Sequence, residues 1–147
     1  MKLYGFWRSL ATYRVNVALA LKNISVQTVS IDLLKGEQLD PGYRAVNPQA
    51  VVPSLLLDDG GPPLFQSLAI LEYLEERFPA PALLPRDLAE RARVRAFSLI
   101  PIADCHSLVV PRARKRLAEQ FKASPADVTA WINHWQTLAL AAMERML

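Results

Sequence analysis

Proline 53 enters an apolar strand, Val52-Pro53-Ser54-Leu55-Leu56-Leu57, that ends at Asp58-Asp59-Gly60. A few residues on, Gln66-Ser67-Leu68-Ala69-Ile70-Leu71-Glu72-Tyr73-Leu74 reads as an amphipathic helix. Proline lacks the N–H that a central strand donates, so Pro53 has to begin an edge or occupy a special backbone turn. A cis peptide at Val52-Pro53 is one such turn. The Ser67 hydroxyl can cap the helix, and the first N–H groups of that helix make an anion site. A fold of this kind can hold a carboxylate-bearing ligand by its backbone.

The rest of the first half supplies a sheet for that unit. Lys2–Phe6 is a short apolar strand, and Thr12–Lys22 sets Val15, Ala18, Leu19 and Leu21 at a helical period with Thr12 or Ser9 as its N-cap. Val26–Asp32 alternates with β-branched residues and reads as a strand. Strand–helix–strand implies a parallel pair with a right-handed crossover. Leu33–Val46 is polar and irregular; Pro53–Leu57 and Pro63–Phe65 then flank the Asp58–Gly61 hairpin turn. The order βαβ–ββα is an α/β unit with a four-stranded mixed sheet. Phe78-Pro79-Ala80-Pro81-Ala82-Leu83-Leu84-Pro85 breaks the pattern, which places domains at 1–78 and 88–147 with a linker at 79–87. Leu88–Ala118 reads as one long helix kinked near Pro101 and interrupted at Pro111, and Ser124-Pro125 opens a last helix that runs to Leu147.

With 52% hydrophobic and 21% charged residues, the chain belongs among packed globular proteins. No apolar run reaches the roughly 18 residues that a membrane span needs. The N-terminus lacks the apolar core of a secretory signal, which makes the cytoplasm the expected location. The net charge of +3 comes with arginines at Arg86–Arg95 and Arg112–Arg116, interleaved with acidic residues. That pattern fits a solvated helix face or attraction for small anions. No recognition motif accompanies it, so no nucleic-acid partner is expected. Cys105 is the one cysteine, which excludes an internal disulfide, a CxxC pair and a thiolate metal site; it reads as a buried core thiol.

The opening Lys2-Leu3-Tyr4-Gly5-Phe6-Trp7-Arg8-Ser9 resembles the first strand and active-site turn of zeta-class glutathione transferases, the class of maleylacetoacetate and maleylpyruvate isomerases. Tyr13-Arg14-Val15, Leu33–Gln38, Asn47-Pro48-Gln49, Gln66–Ile70, Glu72–Glu76 and Leu83-Leu84-Pro85 extend the likeness along the chain. The resemblance implies a thioredoxin-like first domain and an all-helical second domain that is incomplete at Leu147. It also implies glutathione as cofactor, a small anionic or electrophilic substrate, and a homodimer.

The resemblance further assigns roles. Ser9 matches the serine that stabilises the glutathione thiolate, with Leu10 and Ala11 beside it in the binding turn; without the family, Ser9 is a helix cap. Val52 matches the residue whose backbone pairs with the cysteinyl part, as in β-augmentation. Gln66 and Ser67 match the pair on the γ-glutamyl carboxylate, and Gln38 a loop residue near the glycine end. His106, with Asp104, falls where the family places polar residues facing the dimer cleft and the ligand; His134 sits among Trp131, Ile132 and Trp135 and reads as core or interface packing. Arg8 and Arg14 are cationic groups available to a developing enolate, and Arg14 equally suits a structural ion pair.

Three departures stand against the family pattern. Leu10 replaces a second serine, Val109-Val110 replaces a polar Asn-Asn pair, and the chain ends before the family's helical domain is complete. The implied activity is glutathione-dependent cis–trans isomerisation of a maleyl diketo acid. Alternatives are conjugation or dehalogenation of small electrophiles, and a truncated, non-catalytic glutathione-binding or interaction protein.

Overall fold

A computed structural model describes residues 1–147. The chain divides into two compact units, Met1–Leu83 and Leu84–Leu147.

The first unit is built on strands β1 (Lys2–Gly5), β2 (Gln27–Ser30), β3 (Ser54–Leu56) and β4 (Leu64–Phe65), with helices α1 (Leu10–Leu21), α2 (Pro41–Val46) and α3 (Ser67–Arg77). The sheet order is β2-β1-β3-β4. β1 runs parallel to β2, with Leu3 opposite Thr28, and antiparallel to β3, with Leu3 opposite Leu55. This is the mixed sheet that the βαβ–ββα order implies, in the thioredoxin-like arrangement.

Alternation along β1 sends side chains to two cores. Leu3 packs with Val15, Ala18 and Leu19 of α1, Leu55 of β3, and Ile70 and Leu74 of α3. On the opposite face Tyr4 and Phe6 join Ile31, Val52 and Tyr43 of α2. Gly5 is required by close approach: a Cβ there would lie 2.5 Å from Thr12 Cγ2. Any side chain at that position pushes α1 off the end of the strand. α1 stops where Asn23 takes a left-handed φ of 53°, the usual way for a helix to leave its axis.

Several expectations need correction. Leu33–Val46 is not wholly irregular: a 3₁₀ turn, Glu37–Leu39, leads into α2. Pro41 sits at the first helical turn, where its missing N–H costs nothing, and six residues are too few to show a period. α3 begins at Ser67, with Gln66 in the cap position and no side-chain cap. The Ser67 hydroxyl is therefore not the helix cap.

In the second unit the expected kinked helix is resolved into pieces. α4 (Leu88–Leu99) passes into a π-helical stretch, Ile100–His106, then α5 (Ser107–Val109). Pro101 lacks the N–H that a tight turn would use, and the helix widens there. Pro111 forces Val110 out of the helical region, to ψ 156°, and α6 (Pro111–Gln120) starts afresh. By length and mean composition alone, Leu88–Gln120 passes as a helical run long and apolar enough to cross a bilayer, although no uninterrupted apolar run within it reaches that length. Arg95, Asp104 and His106 lie within it, and its π-helical stretch packs on the last helix, α7 (Pro125–Glu144). Trp131 of α7 donates its indole N–H to the Leu108 carbonyl at 2.9 Å. Cys105 is buried, as expected, and burial raises its thiol pKa. His134 is exposed rather than packed in a core, with its ring against Trp135.

α7 opens on a capping box. The Asp127 N–H donates to Ser124 Oγ at 3.2 Å, and the Ser124 N–H donates back to Asp127 Oδ2 at 2.9 Å. Hydrogen bonds from the Ser124 hydroxyl, and then from its backbone, hold the Asp127 pKa below its ordinary 3.8. A depressed carboxylate pKa contributes stability above the unfolded value and loses it as pH falls through the folded one. Asp127→Asn is therefore expected to fray the start of α7 at neutral pH. Amide exchange at 126–128 should show that difference shrinking as pH falls below 3.8.

Candidate functional site

The site begins with the turn that joins β1 to α1. The Ser9 N–H donates to the Phe6 carbonyl at 3.0 Å, and the Phe6 N–H donates to Thr12 Oγ1 at 3.3 Å. These two bonds fix Trp7 and Arg8 at the tip of the turn and bring Ser9 to the N-cap of α1. Ser9 Oγ accepts the Thr12 N–H at 3.2 Å, so its own proton remains for an outside acceptor. The Leu10 and Ala11 N–H groups belong to the first helical turn and have no intrahelical carbonyl to bond. One hydroxyl, two amides and the positive end of a twelve-residue helix thus converge on one point.

A shallow depression of about 380 Å³ opens there, lined by Trp7, Arg8, Ser9, Leu10 and Tyr13. Trp7 is 80% exposed, and the Arg8 guanidinium stacks over its ring at 5.5 Å. That contact keeps a cation at the mouth of the depression. Leu10 is exposed and adds apolar surface where a second serine would have added a donor.

A second cluster forms at the N-terminus of α3. Gln66 holds a positive φ of 71°, which turns the chain sharply into the helix. Ser67 is buried, and its Oγ accepts from Arg14 Nε at 3.1 Å. Burial lowers the Arg14 pKa, and the guanidinium stays cationic because an arginine pKa begins so far above neutral. The pairing of Arg14 with Ser67, rather than with a carboxylate, leaves a positive charge beside the free amides of a helix N-terminus. Gln66 Nε2 donates to Gln49 Oε1 at 2.8 Å, a contact that sequence reasoning did not anticipate.

Val52 lies between the two clusters along the sequence, before the cis peptide to Pro53. The ladder between β1 and β3 stops at the pair Tyr4–Ser54, so Val52 has no strand partner on that side. Gln38, on the 3₁₀ turn, buries its Oε1 without a partner in the chain. The first unit thus holds Ser9, Leu10, Ala11, Gln38, Val52, Gln66 and Ser67. His106 lies in the π-helical stretch of the second unit, half-buried, and Asp104 beside it is exposed.

Residues 1–76 match the family model for the glutathione S-transferase N-terminal domain. A maleylacetoacetate isomerase of Pseudomonas aeruginosa is 43% identical over 149 residues, covering 100% of this chain and 69% of that protein. The chain belongs to the glutathione S-transferase family, zeta class. A solved maleylpyruvate isomerase, itself a bacterial zeta-class transferase, superposes with a TM-score of 0.91 at 42% identity, over 97% of this chain and 66% of that one. Another structure, a maleylacetoacetate isomerase of Anaeromyxobacter dehalogenans with bound glutathione, gives 0.85 at 38% identity, over 99% and 67%. This zeta-class chain therefore spans about two thirds of the length of the relatives it matches.

Proposed function

We propose that this chain is a glutathione-dependent cis–trans isomerase acting on a maleyl diketo acid, with glutathione held along the first unit. The observation that carries the reading is the capped N-terminus of α1, where Ser9 Oγ accepts from Thr12 and keeps its proton for an outside group. The residues fit the tripeptide: a cationic helix N-terminus at Ser67 for a carboxylate, an open backbone edge at Val52, and a hydroxyl at Ser9 for sulfur. When bound, glutathione supplies a thiolate nucleophile that adds reversibly across a conjugated double bond and so permits rotation about it.

The chain's own part is electrostatic. Ser9 and the Leu10 and Ala11 amides stabilise negative charge on sulfur, which lowers a thiol pKa. Arg8, kept at the mouth by Trp7, attracts the anionic substrate and can stabilise charge on its oxygens. Self-association into a homodimer is supported by apolar surface on α7, where Leu138 and Leu140 are exposed. A cytoplasmic location belongs to the same reading.

Calorimetric titration with glutathione tests it, with Ser67→Ala as control. Removing the hydroxyl strips Arg14 of its partner and the carboxylate of one donor; the affinity is expected to fall about tenfold. Binding by the parent chain followed by cis–trans isomerisation of maleylacetone supports the isomerase. Binding with conjugation of electrophiles but no isomerisation favours a transferase instead. A folded chain that does not bind glutathione overturns the reading.

A further inference from the structure

We propose that Tyr43 and Asn47 are positioning residues for glutathione binding, acting by holding the Val51 carbonyl so that the Val52 N–H faces away from the protein interior. The inference rests on the glutathione reading of the site. Tyr43 and Asn47 lie one turn apart, on and just after α2, and so share a helical face. The Tyr43 hydroxyl donates to the Val51 carbonyl at 2.7 Å, and Asn47 Nδ2 donates to the same oxygen at 2.8 Å. Both lone pairs of that carbonyl are thereby used inside the fold.

The peptide unit shared by Val51 and Val52 is trans and planar, so its C=O and N–H point in opposite directions. Fixing the carbonyl inward aims the Val52 N–H outward, on the edge left open where the β1–β3 ladder ends. A ligand backbone that adds to such an edge needs that direction set in advance, because ordering a loop on binding subtracts from affinity.

The remaining polar groups of the two donors are satisfied by their surroundings. Ser54 Oγ lies 3.0 Å from the Tyr43 oxygen and accepts from Asn47 Nδ2 at 3.1 Å. Asn47 Oδ1 accepts the Gln49 N–H at 3.0 Å. With Tyr43 donating to Val51, the Ser54 hydroxyl donates to Tyr43, and each Asn47 N–H has its own acceptor. Asn47 and Ser54 are both 0% exposed and Tyr43 is 5% exposed. A buried circuit with every proton assigned leaves no polar group unpaired, which favours stability. Burial also raises the Tyr43 pKa, so the phenol remains a donor at neutral pH.

Ser54 separates positioning from mere stability, since it closes the circuit without touching Val51. Glutathione affinity by calorimetry and Val52 amide exchange by NMR are to be measured on the full chain and on Tyr43→Phe, Asn47→Ser and Ser54→Ala. All three variants are expected to lose stability. Tyr43→Phe and Asn47→Ser, each removing one donor to Val51, are expected to weaken glutathione about three- to tenfold and to speed Val52 exchange. Ser54→Ala is expected to keep both within about twofold of the parent. If either Tyr43→Phe or Asn47→Ser fails to fold, the other carries the same comparison. The inference is overturned if the folded Tyr43→Phe or Asn47→Ser chain binds glutathione like the parent, or if Ser54→Ala loses as much affinity as they do. A parent chain that does not bind glutathione overturns the reading of the site and this inference together. A parent that binds, with variants that bind equally well, overturns this inference alone.

Discussion

Replacing Lys22 with methionine is expected to lower the stability of the first unit by about 3–5 kcal/mol, measured by urea unfolding. The Lys22 side chain is 0% exposed, at the end of α1. Its ammonium donates to Glu75 Oε2 at 2.7 Å, to the Phe78 carbonyl at 2.6 Å and to the Pro81 carbonyl at 2.9 Å. Glu75 Oε2 in turn accepts the Leu83 N–H at 2.9 Å. Three protons meet three acceptors, so the ion is fully compensated where it stands. Methionine matches the stem in shape but takes the ammonium's protons and charge away from a buried carboxylate and two carbonyls, the situation in which breaking a buried pair is costly.

Glu75→Gln is the milder change, expected to cost about 1–2 kcal/mol, because the amide oxygen still accepts from Leu83 and from the lysine. The double variant should cost less than the two single changes added, since each removes part of what the other would strand. A Lys22→Met cost below about 1 kcal/mol would show that the ammonium is no better off in the fold than in water. The clamp sits at the opposite end of α1 from Ser9, roughly 18 Å along a twelve-residue helix. In conditions where Lys22→Met remains folded, glutathione affinity is therefore expected to stay close to that of the parent.

Nothing around Lys22 in the sequence announces this role. It reads as a lysine at a helix end, normally a solvated position, and its partners lie 53, 56 and 59 residues away. The same limit explains the other surprises. The βαβ–ββα order was legible because glycine, proline and β-branched runs punctuate it locally, and Val15, Ala18 and Leu19 announce themselves as core by period. α2 was not, because six residues behind a proline leave no periodic trace. At the site, Ser9, Gln66 and Ser67 could be picked out by residue type at helix starts. Their use could not: a cap was expected of Ser67, but the hydroxyl is turned to Arg14, because Gln66 bends the entry through a positive φ. Arg14 allowed an ion pair or a ligand contact on paper, and only the packing of α1 against α3 brings it to Ser67. The Tyr43–Asn47–Val51 contacts likewise depend on how α2 returns to the strand entry at Pro53.

The largest effect on chemistry is expected from Ser9→Ala, which should lower the glutathione-dependent isomerisation rate about 10²-fold at neutral pH. The hydroxyl accepts the Thr12 N–H and has one proton to give; alanine removes both roles. Loss of the cap is expected to cost about 1 kcal/mol of stability, far from enough to unfold a typical domain. The Leu10 and Ala11 amides and the end of the α1 dipole remain, so some stabilisation of a sulfur anion survives. The signature that separates lost chemistry from a loosened helix is the pH profile. Without the hydroxyl the bound thiol holds its proton to higher pH, so the acid limb of the rate profile should move upward and activity should recover as pH rises. Ultraviolet absorbance of the thiolate in the glutathione complex should move with it. Ser9→Thr, which keeps an O–H on the same carbon, is expected to restore most of the rate. A Ser9→Ala chain with an unmoved profile and a rate within about twofold of the parent would assign Ser9 to capping alone. The helix N-terminus would then be the whole of the anion site, and Leu10 in place of a second serine would cost the chain nothing.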